Sequence, residues 1–475
     1  MFSLFNKNKV RTRFAPSPTG ELHIGGARTA FFAYIFAKQN KGDFFLRIED
    51  TDRERYVEGS VERIIDSLKW LGIIPDNLKN LMVQSDRLDI YKKAAFDLVD
   101  QGDAYICTCS GEELAEDRER LSKEGKPPRY LGYCRNKNLK LEDVKNDKYV
   151  IRMKMPEKGN LAFEDMIRGN VEFDLSLLDD QVLLKSDGYP TYHLASIIDD
   201  HDMKISHVIR AEEWLSSTPK HILLYQMFKW KMPKFAHLPM ILSPDGGKLS
   251  KRHGATGIFE FKKIGYLPEA LVNFIALLGW HPKEDKEAEI MSIEEIIKEF
   301  ELKRVQKAGA IFNTEKLDWM NAQYIKKLDN DKLREMLEDI FGDEIPKEKI
   351  TDKILEMSKD RMSKLSEFKQ VNDFVFEIPD YKKDLLIWKK GSIDSAKNNL
   401  KIIKENIENI SENNFSKENL EKALMPVADQ LGRGEALWPL RVSLSGKDKS
   451  PGPFELLEIL GKKESLSRIN AAIKK

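Results

Sequence analysis

The sequence predicts an α/β fold, in which a doubly wound, Rossmann-like nucleotide-binding sheet is interrupted by an inserted domain and followed by helical domains. Residues 9–84 alternate short strands with helices, and the sheet pattern returns at 191–198 and 205–210. From about residue 325 the chain becomes a series of amphipathic helices rich in Lys and Glu. A length of 475 residues agrees with three or four domains better than with one.

The run VRTRFAPSPTGELHIGGAR at 10–28 predicts a strand, a loop and a helix over 27–39. His23 and Gly25 then stand where the helix begins, and free N–H groups with a partial positive charge favour an anion there. Gly25 and Gly26 let a large ligand approach the backbone, and His23 adds a donor for a phosphate oxygen. Other strand–turn–helix units carry such a histidine by chance, so this run alone is weak evidence for a nucleotide site.

A second run, SPDGGKLSKRHG at 243–254, places Lys248, Lys251 and Arg252 in a loop flanked by glycines. A solvated basic turn is the plain interpretation of such a run. The alternative is a clamp that closes on a triphosphate and neutralises the charge that builds up at the α-phosphate and the departing diphosphate. Because both runs occur in one chain in this order, we favour the clamp and a nucleotide-activating enzyme.

The remaining elements follow from local patterns. A short apolar strand at 44–48 ends in Glu49, at the edge of the sheet where ligands bind. The alternation of strands and helices is interrupted at 87–187, which we interpret as an insertion. A charged helix is predicted there at 111–124 and a strand at 149–154. After about residue 255 the chain is predicted to be helical, with a strongly apolar stretch at 267–278.

Composition excludes some classes of protein. The chain has 78 basic and 78 acidic residues, so a nucleic acid must be held by local basic patches, and a protein that only binds nucleic acid is disfavoured. The sequence contains no apolar run of 18 residues, and MFSLFNKNK is too short and polar for a secretory signal. We therefore expect a cytoplasmic, monomeric protein that does not associate with membranes.

The three cysteines, Cys107, Cys109 and Cys134, form a C-x-C-x24-C pattern. With no secretory signal expected, disulfide bonds are disfavoured. Two interpretations stay open: three ordinary free thiols, or a tetrahedral zinc site that lacks one evident ligand.

The pair HIGG and KLSKR resembles the two signatures of class I aminoacyl-tRNA synthetases. Longer segments resemble the bacterial-type glutamyl-tRNA synthetase branch, and PSPTG argues against the related glutaminyl branch. Gly26 stands where the general class signature has a second His, which the glutamyl branch often lacks, so loss of activity is not implied. The segments are RFAPSPTGELHIGGARTA, FFLRIEDTDRERY, YPTYHLASIIDDH, HVIRAEEW, GGKLSKRHGA and LWPLRVSLSGKDKSPGPFELLEILG.

The resemblance implies a division of the chain into domains. A Rossmann-like catalytic domain is expected in two halves, 9–86 and 188–254, around an inserted acceptor-stem-binding domain at 87–187. An all-α stem-contact domain at 255–325 and an α-helical anticodon-binding domain at 326–475 are expected to follow.

The resemblance also implies the reaction and its ATP site. Members join an amino acid to tRNA through an aminoacyl-adenylate made from ATP with Mg²⁺. His23, Lys248 and Lys251 are the expected catalytic residues. The expected ATP-binding residues are Pro16, Ser17, Thr19, Gly20, His23, Gly25, Gly26, Lys248, Ser250, Lys251 and Arg252.

For L-glutamate, the resemblance implies that two arginines hold the side-chain carboxylate and that Glu49 with Ser17 holds the ammonium. A desolvated arginine rejects the neutral amide of glutamine because its charge would go unmatched. For any single arginine, an ordinary salt bridge is the alternative. Ser196 stands where some members have Asn, and its shorter side chain would need a bridging water to reach the substrate. The expected glutamate-binding residues are Arg13, Ser17, Glu49, Tyr192, Ser196 and Arg210.

Some members of the family carry a zinc knuckle and others lack it. One variant uses a His two places after the last Cys, where this chain has Asn136. Another uses a Tyr four places before it, where this chain has Tyr130. We therefore expect a structural Zn²⁺ site whose ligands are Cys107, Cys109, Tyr130 and Cys134.

The expected partner is tRNA(Glu), and the sequence leaves open whether tRNA(Gln) is charged too. Arg361 and Lys364 are candidates for anticodon reading, whereas Arg441 could equally be structural. Three other functions fit the sequence less well. A truncated relative that modifies a tRNA base lacks the helical tail, an inactive scaffold would have lost His23 or the KLSKR lysines, and a small-molecule nucleotidyltransferase would not need the tail.

Lys251→Ala is expected to slow adenylate formation by on the order of a hundredfold, because it removes a donor aimed at developing charge. ATP–diphosphate exchange measures this step, and circular dichroism checks that the variant folds. Charging of tRNA at the wild-type rate would contradict the role assigned to the loop.

Overall fold

The computed structural model describes residues 9–144, 148–249, 256–283 and 289–475. The chain forms two compact units, one ending at Met320 and one beginning at Asn321. The first unit is mixed α/β and the described part of the second is helical, which confirms the predicted fold class. The finer domain boundaries stay predictions.

The strands of the first unit define its central sheets. β1, β2 and β3 pair in parallel in that order, and a second sheet has the order β7-β6-β10-β9, with β7 antiparallel to β6 and the other pairs parallel. The strands are β1 (Arg11–Phe14), β2 (Asp43–Ile48), β3 (Met82–Val83), β4 (Ala104–Cys107), β5 (Val150–Met153), β6 (Asn160–Asp165), β7 (Gly169–Asp174), β8 (Val182–Leu184), β9 (His207–Ala211), β10 (Lys234–Leu238), β11 (Ile241–Leu242) and β12 (Ala310–Ile311).

The two sheets meet along β1. The N–H of Arg11 donates to Ser206 Oγ (2.8 Å), and the N–H of Ser206 donates to the carbonyl of Arg11 (3.0 Å), directly before β9 begins. The strand order therefore runs outward in both directions from the β1–β9 junction. Such a reversal of strand order opens a crevice at the carboxyl ends of the strands, which is where α/β proteins bind their ligands.

The helices of the first unit confirm most of the predicted elements but correct one of them. The stretch 191–198 is the beginning of helix α5, so the predicted strand there is wrong. A short apolar run fits a buried strand and a buried helix equally well, and here Pro190 ends an extended segment just before the helix. The helices are α1 (Ile24–Gln39), α2 (Ser60–Trp70), α3 (Leu88–Gln101), α4 (Gly111–Lys123), α5 (Tyr192–Asp202), α6 (Thr218–Met227), α7 (Ile258–Lys263), α8 (Pro268–Leu277), α9 (Ile293–Glu299) and α10 (Thr314–Lys326).

Helix α1 begins three residues before the predicted start, because His23 caps it. Its core-facing side is lined with alanines, and small side chains let the helix lie close to β1, where Thr12 Oγ1 donates to the carbonyl of Ala33 (2.8 Å). On its other side, Phe32 packs edge-on against Phe300, whose ring also contacts Trp280. The helix therefore joins the sheet to the helical segment after residue 256.

The predicted insertion is structurally divided. β4, β5 and β8 form a separate antiparallel sheet. By contrast, β6 pairs with β10 through Asp165 and Phe235, which places β6 and β7 in the same sheet as β9. The chain from 160 to 174 therefore contributes directly to the sheet that carries Arg210.

The second unit is a set of amphipathic helices around an apolar core of Leu, Ile and Ala side chains. Lys and Glu lie mostly on the exposed faces, as the sequence pattern predicts. The helices are α11 (Asn330–Phe341), α12 (Asp352–Lys359), α13 (Phe368–Val371), α14 (Asp373–Phe376), α15 (Ile393–Glu408), α16 (Lys417–Leu431), α17 (Arg433–Ser445) and α18 (Pro453–Lys474).

Gly42→Ala is expected to lower the free energy of unfolding by about 1–3 kcal/mol. A Cβ at Gly42 would lie 2.2 Å from the carbonyl oxygen of Val10, and this backbone atom cannot move without disturbing the start of β1. Gly111→Ala is the control, because a Cβ there meets no atom within 4 Å. Urea unfolding of both variants makes the comparison, and equal stabilities would contradict the expectation.

Candidate active site

A cleft of about 860 Å³ opens at the carboxyl ends of β1, β2 and β9. It gathers most of the side chains that the sequence predicts for ATP and glutamate, although they come from segments up to 235 residues apart. The predicted residues that line it are Arg13, Pro16, Ser17, Thr19, Gly20, His23, Gly25, Gly26, Glu49, Tyr192, Arg210 and Lys248.

The remaining predicted residues lie elsewhere. Ser250, Lys251 and Arg252 fall outside the described residues. Ser196 is buried and is not among the described residues that line the cleft; its Oγ instead accepts a hydrogen bond from Arg47 Nη2 (3.3 Å). Ser196 is therefore linked to the cleft indirectly, through its hydrogen bond with Arg47.

The start of α1 has the form of an anion site. His23 is the N-cap residue, and its Nδ1 accepts a hydrogen bond from the N–H of Gly26 (3.2 Å). An imidazole that accepts at Nδ1 carries its proton on Nε2, so Nε2 is a donor. The walls of the cleft lower the pKa of His23, an effect that Glu213 opposes and Lys248 reinforces. His23 is therefore a neutral donor beside an exposed helix N-terminus.

The structure also gives a reason for glycine at position 26. A Cβ there would lie 2.9 Å from Leu22 Cδ1, and Leu22 is buried in the core. A second histidine at this place would require Leu22 to move. The departure from the general class signature therefore agrees with the packing of this chain.

A buried charge network supports one wall of the cleft. Arg13 Nε donates to Asp200 Oδ1 (3.0 Å), and Arg47 Nη1 donates to the same oxygen (2.6 Å). Arg47 Nη2 also donates to Glu49 Oε1 (2.8 Å), which orients that carboxylate. Burial tends to raise the pKa of Asp200, but Arg13 and Arg47 together lower it below its usual value. Among the described residues, only Nε of Arg13 is hydrogen-bonded, so its terminal nitrogens remain for a ligand.

Arg47 is a supporting residue that the sequence reasoning missed. It is fully buried in β2, whose sequence DFFLRI is otherwise mostly apolar. A charged residue inside an apolar strand was the available signal. Its partner Asp200 lies 153 residues away in α5, and no local pattern could have supplied that pairing.

The opposite wall is aromatic and basic. Arg210, in β9, is 4% exposed and donates to Tyr192 Oη (2.9 Å). The ring of Trp214 lies against Tyr192, with 4.4 Å between the ring centres, and Trp214 remains half open to the cleft. Lys248 is largely exposed, and its Nζ lies 3.3 Å from a carboxylate oxygen of Glu213. Lys248 can therefore move onto a ligand at the cost of one weak surface ion pair.

The three cysteines converge. The Sγ atoms of Cys107, Cys109 and Cys134 all lie within 4.8 Å of one another. The hydroxyl of Tyr130 lies 3.4 Å from Cys107 Sγ and 3.8 Å from Cys109 Sγ. Three sulfurs and one oxygen at these separations form a donor set that fits tetrahedral Zn²⁺. The guanidinium of Arg152 lies 3.9 Å from the centre of the Tyr130 ring and adds a positive charge beside the cluster.

A second pocket of about 570 Å³ lies wholly within the helical unit. Its basic side chains are Arg361, Lys447 and Lys449, and Gln370 and Ser450 add hydrogen-bonding groups. Lys364 does not line it, and Nζ of Lys364 lies 3.3 Å from Glu367. Arg441 stacks on Trp438 and donates to the carbonyl of Asp448 (2.5 Å), which favours the structural interpretation of that residue.

Comparison with known families agrees with both units. Residues 9–319 match the model described as "tRNA synthetases class I (E and Q), catalytic domain". Residues 330–473 match the model described as "Anticodon binding domain". The chain therefore belongs to the class I tRNA synthetases of the glutamate and glutamine family, as the sequence motifs predict. Within the described residues, no helix is long and apolar enough to cross a membrane.

Several similar proteins within this family are named as glutamate enzymes. The chain is 42% identical to a glutamate–tRNA ligase of Chloroherpeton thalassium, over 99% of both proteins. It is 45% identical to one of Dehalococcoides mccartyi, over 98% of this chain and 97% of the relative. A crystal structure of a glutamate tRNA ligase from Elizabethkingia meningosepticum, in complex with its amino acid, is 40% identical, has a TM-score of 0.89 and covers 98% of this chain and 100% of that one.

Proposed function

We propose that this chain is a glutamate–tRNA ligase, which joins L-glutamate to tRNA(Glu) through a glutamyl-adenylate and releases AMP and diphosphate. One observation carries the proposal: a single cleft combines a helix N-terminus capped by a neutral His23 with two buried arginines, Arg13 and Arg210. The first feature suits a nucleotide phosphate and the second suits an amino acid with an acidic side chain. The names of the similar proteins support the same conclusion.

The ATP site is proposed at the start of α1. Class I synthetases use ATP with Mg²⁺, and the ion neutralises phosphate charge when it is bound. His23 would donate from Nε2 to a phosphate oxygen, while the backbone at Gly25 and Gly26 admits the nucleotide. Lys248 would leave Glu213 for the triphosphate, and Lys251 of the same loop would act beside it.

Glutamate is proposed to lie between the two arginines. The free nitrogens of Arg13 and the guanidinium of Arg210 would face the side-chain carboxylate, and Glu49 with Ser17 would hold the ammonium. The α-carboxylate is already ionised and needs no general base. Its oxygen attacks the α-phosphorus of ATP, and the bond from phosphorus to the diphosphate breaks. A ribose hydroxyl of the terminal tRNA adenosine then attacks the carbonyl carbon and loses its proton to the leaving phosphate or to water. The bond from that carbon to the phosphate oxygen breaks, and AMP leaves.

Ser196 is proposed to act through Arg47 rather than by direct contact. Its hydroxyl accepts from Arg47 Nη2, and Arg47 in turn orients Glu49. A direct contact with glutamate would need a bridging water, because a Ser side chain is shorter than the Asn that some family members have.

The two ends of the tRNA would meet different parts of the chain. The antiparallel sheet of β4, β5 and β8 and its cysteine cluster would grip the acceptor end. The basic pocket around Arg361, Lys447 and Lys449 would take an anticodon base, since unpaired bases are read by hydrogen bonds to their edges and by cationic side chains.

A structural Zn²⁺ is proposed at Cys107, Cys109, Tyr130 and Cys134, because the donor set fits. The ion would cross-link the end of β4 to the loop before residue 135, a region that otherwise has a small core. It would supply no chemistry to the reaction.

Charging of purified tRNA(Glu) and tRNA(Gln) transcripts with labelled glutamate tests the proposed function. Charging of tRNA(Glu) alone would define an enzyme that discriminates between the two tRNAs. Charging of both would define an enzyme whose tRNA(Gln) product needs a partner amidotransferase. Charging of neither, with folded protein and Mg²⁺-ATP present, would overturn the proposal.

Two substitutions are expected to separate the amino acid site from the tRNA site. Arg210→Gln should raise the KM for glutamate by about a hundredfold or more, with a small effect on the KM for tRNA, because a buried charge-assisted contact is lost. Arg361→Gln should raise the KM for tRNA and leave the KM for glutamate unchanged. Each variant is the control for the other. A rise in both the KM for glutamate and the KM for tRNA in either variant would indicate a structural role for that residue instead.

Cys134→Ser is expected to lose bound zinc, because it removes one of three thiolate ligands. Metal analysis after dialysis against a weak chelator should find about one zinc ion per wild-type chain and a small fraction of that in the variant. Ser122→Ala, an exposed change in α4, is the control for handling losses. A wild-type protein prepared with zinc in the medium that holds none would refute the site.

A further inference from the structure

Arg210 is held by neutral groups. Its Nε donates to His237 Nε2 (3.0 Å), and its Nη1 lies 3.2 Å from His221 Nδ1 in addition to its bond with Tyr192. Its Nη2 donates to Thr218 Oγ1 (2.9 Å) and to the carbonyl of Trp214 (3.2 Å). Within the described part of the chain, no carboxylate forms an ion pair with this guanidinium. Arg210 is only 4% exposed, and its nitrogens all have hydrogen-bond partners, but its positive charge is not paired with a carboxylate.

The hydrogen bonds fix the state of both histidines. A guanidinium can only donate, so the imidazole nitrogens that face Arg210 carry no proton. The opposite nitrogen of His221 then donates to His193 Nδ1 (3.2 Å), and that of His237 donates to Asp165 Oδ2 (2.6 Å). Burial lowers the pKa of His221 and His237, and Arg210 lowers both further; Asp165 opposes this at His237 without reversing the direction. Both rings are therefore neutral.

Asp165 supports this arrangement without cancelling the charge of Arg210. The His237 ring stands between the two groups. The other carboxylate oxygen of Asp165 accepts from the N–H groups of Ile167 (2.9 Å), Arg168 (2.8 Å) and His237 (3.3 Å), so its hydrogen bonds go to backbone groups and not to Arg210. Burial raises the pKa of Asp165, but the bonds from His237 and Arg168 outweigh it, and the carboxylate stays ionised. It fixes which His237 nitrogen carries the proton.

Arg13 provides the contrast. Its Nε is paired with the carboxylate of Asp200, so part of its charge is already balanced inside the protein. A carboxylate at the place of His221 or His237 would hold Arg210 equally well. It would also cancel the charge that an acidic substrate needs.

We infer that His221 and His237 are positioning residues that determine specificity: as neutral acceptors they fix Arg210 in the cleft and leave its charge for the side-chain carboxylate of the amino acid. The inference rests on the proposed contact between Arg210 and glutamate. It assigns the rejection of glutamine to the two histidines as well as to the arginine, because they ensure that no internal anion substitutes for the missing substrate charge.

A pair of variants at His221 tests the charge half of the inference. In both His221→Asn and His221→Asp, a side-chain oxygen can take the place of Nδ1, and the two side chains have the same shape but differ in charge and in the N–H groups that only Asn carries. His221→Asp should raise the KM for glutamate by about tenfold to a hundredfold and narrow the preference for glutamate over glutamine, because the new carboxylate pairs with Arg210. His221→Asn should raise it by no more than a few fold. Aminoacylation kinetics with varied glutamate, at saturating ATP and tRNA, give both values.

A second pair, at His237, tests the positioning half. His237→Gln keeps an acceptor where Nε2 faces Arg210, whereas His237→Asn keeps a donor toward Asp165 and loses that acceptor. The KM for glutamate should rise at least about tenfold in His237→Asn and largely return to the wild-type value in His237→Gln. The KM for ATP should stay constant in both. The Asn and Asp variants at His221 are equal in size, so a merely structural role would affect both alike. At His237, thermal unfolding shows whether the smaller Asn acts through lost packing.

The outcomes separate this inference from the proposed function. If Arg210→Gln raises the KM for glutamate but the Asp and Asn variants at His221 agree, the inference is wrong and the proposed function stands. If Arg210→Gln itself leaves that KM unchanged, the glutamate contact is wrong. Thermal unfolding accompanies each assay, and should His221→Asp not fold, the His237 pair still tests the positioning half, without which the inference fails.

Discussion

The site depends on one constraint: the charge of Arg47 is fully buried and must be matched inside the protein. Its guanidinium contacts Asp200 (2.6 Å), Glu49 (2.8 Å) and Asp199 (3.7 Å). Removing one partner of such a cluster leaves an uncompensated charge that costs several kcal/mol, on the order of 3–5. β1 and β2 can therefore pack against α5 only in an arrangement that brings Arg47 together with its carboxylate partners.

The way in which β1 and β2 pack against α5 also determines the position of the side chains in the cleft. Asp200 holds Arg13 on the side facing the ligand, and Arg47 turns Glu49 toward the same space. Asp199 extends the network outward, because its oxygens accept from Tyr91 Oη (2.8 Å) and Gln84 Nε2 (2.8 Å). Arg13 and Glu49, which line the cleft, are thus held by Asp200 and Arg47, which do not line it. Such support is what holds a binding group within a fraction of an ångström of its working position.

The two sides of the cleft handle charge differently. On the β1–β2 side, cations and anions are interleaved and largely balanced. On the β9–β10 side, Arg210 is surrounded by hydroxyl, carbonyl and neutral imidazole groups. Under the proposed function, this asymmetry would direct the anionic side chain of glutamate toward Arg210 and leave Glu49 for the ammonium. One cleft would thus distinguish the two ends of the proposed amino acid by electrostatics, and His23 with the start of α1 would bind phosphate.

The sequence by itself determined the fold class, the family and most of the residues that line the cleft. It could do so because glycines, prolines and capping residues act locally, and because HIGG and KLSKR are contiguous runs. The cysteine cluster could also be predicted from the sequence, since its sulfurs come from only two short segments.

The tertiary structure alone decided which side chains support those residues. Arg47 and Asp200 are 153 residues apart, and Arg210 meets His237 because β9 and β10 pair with these two residues directly opposite each other. The run at 191–198 became a helix, and Ser196 turned toward Arg47, for the same reason: burial and pairing across the chain outweigh local pattern. Long-range pairing of buried charges leaves no mark in neighbouring residues, so only the folded chain reveals it.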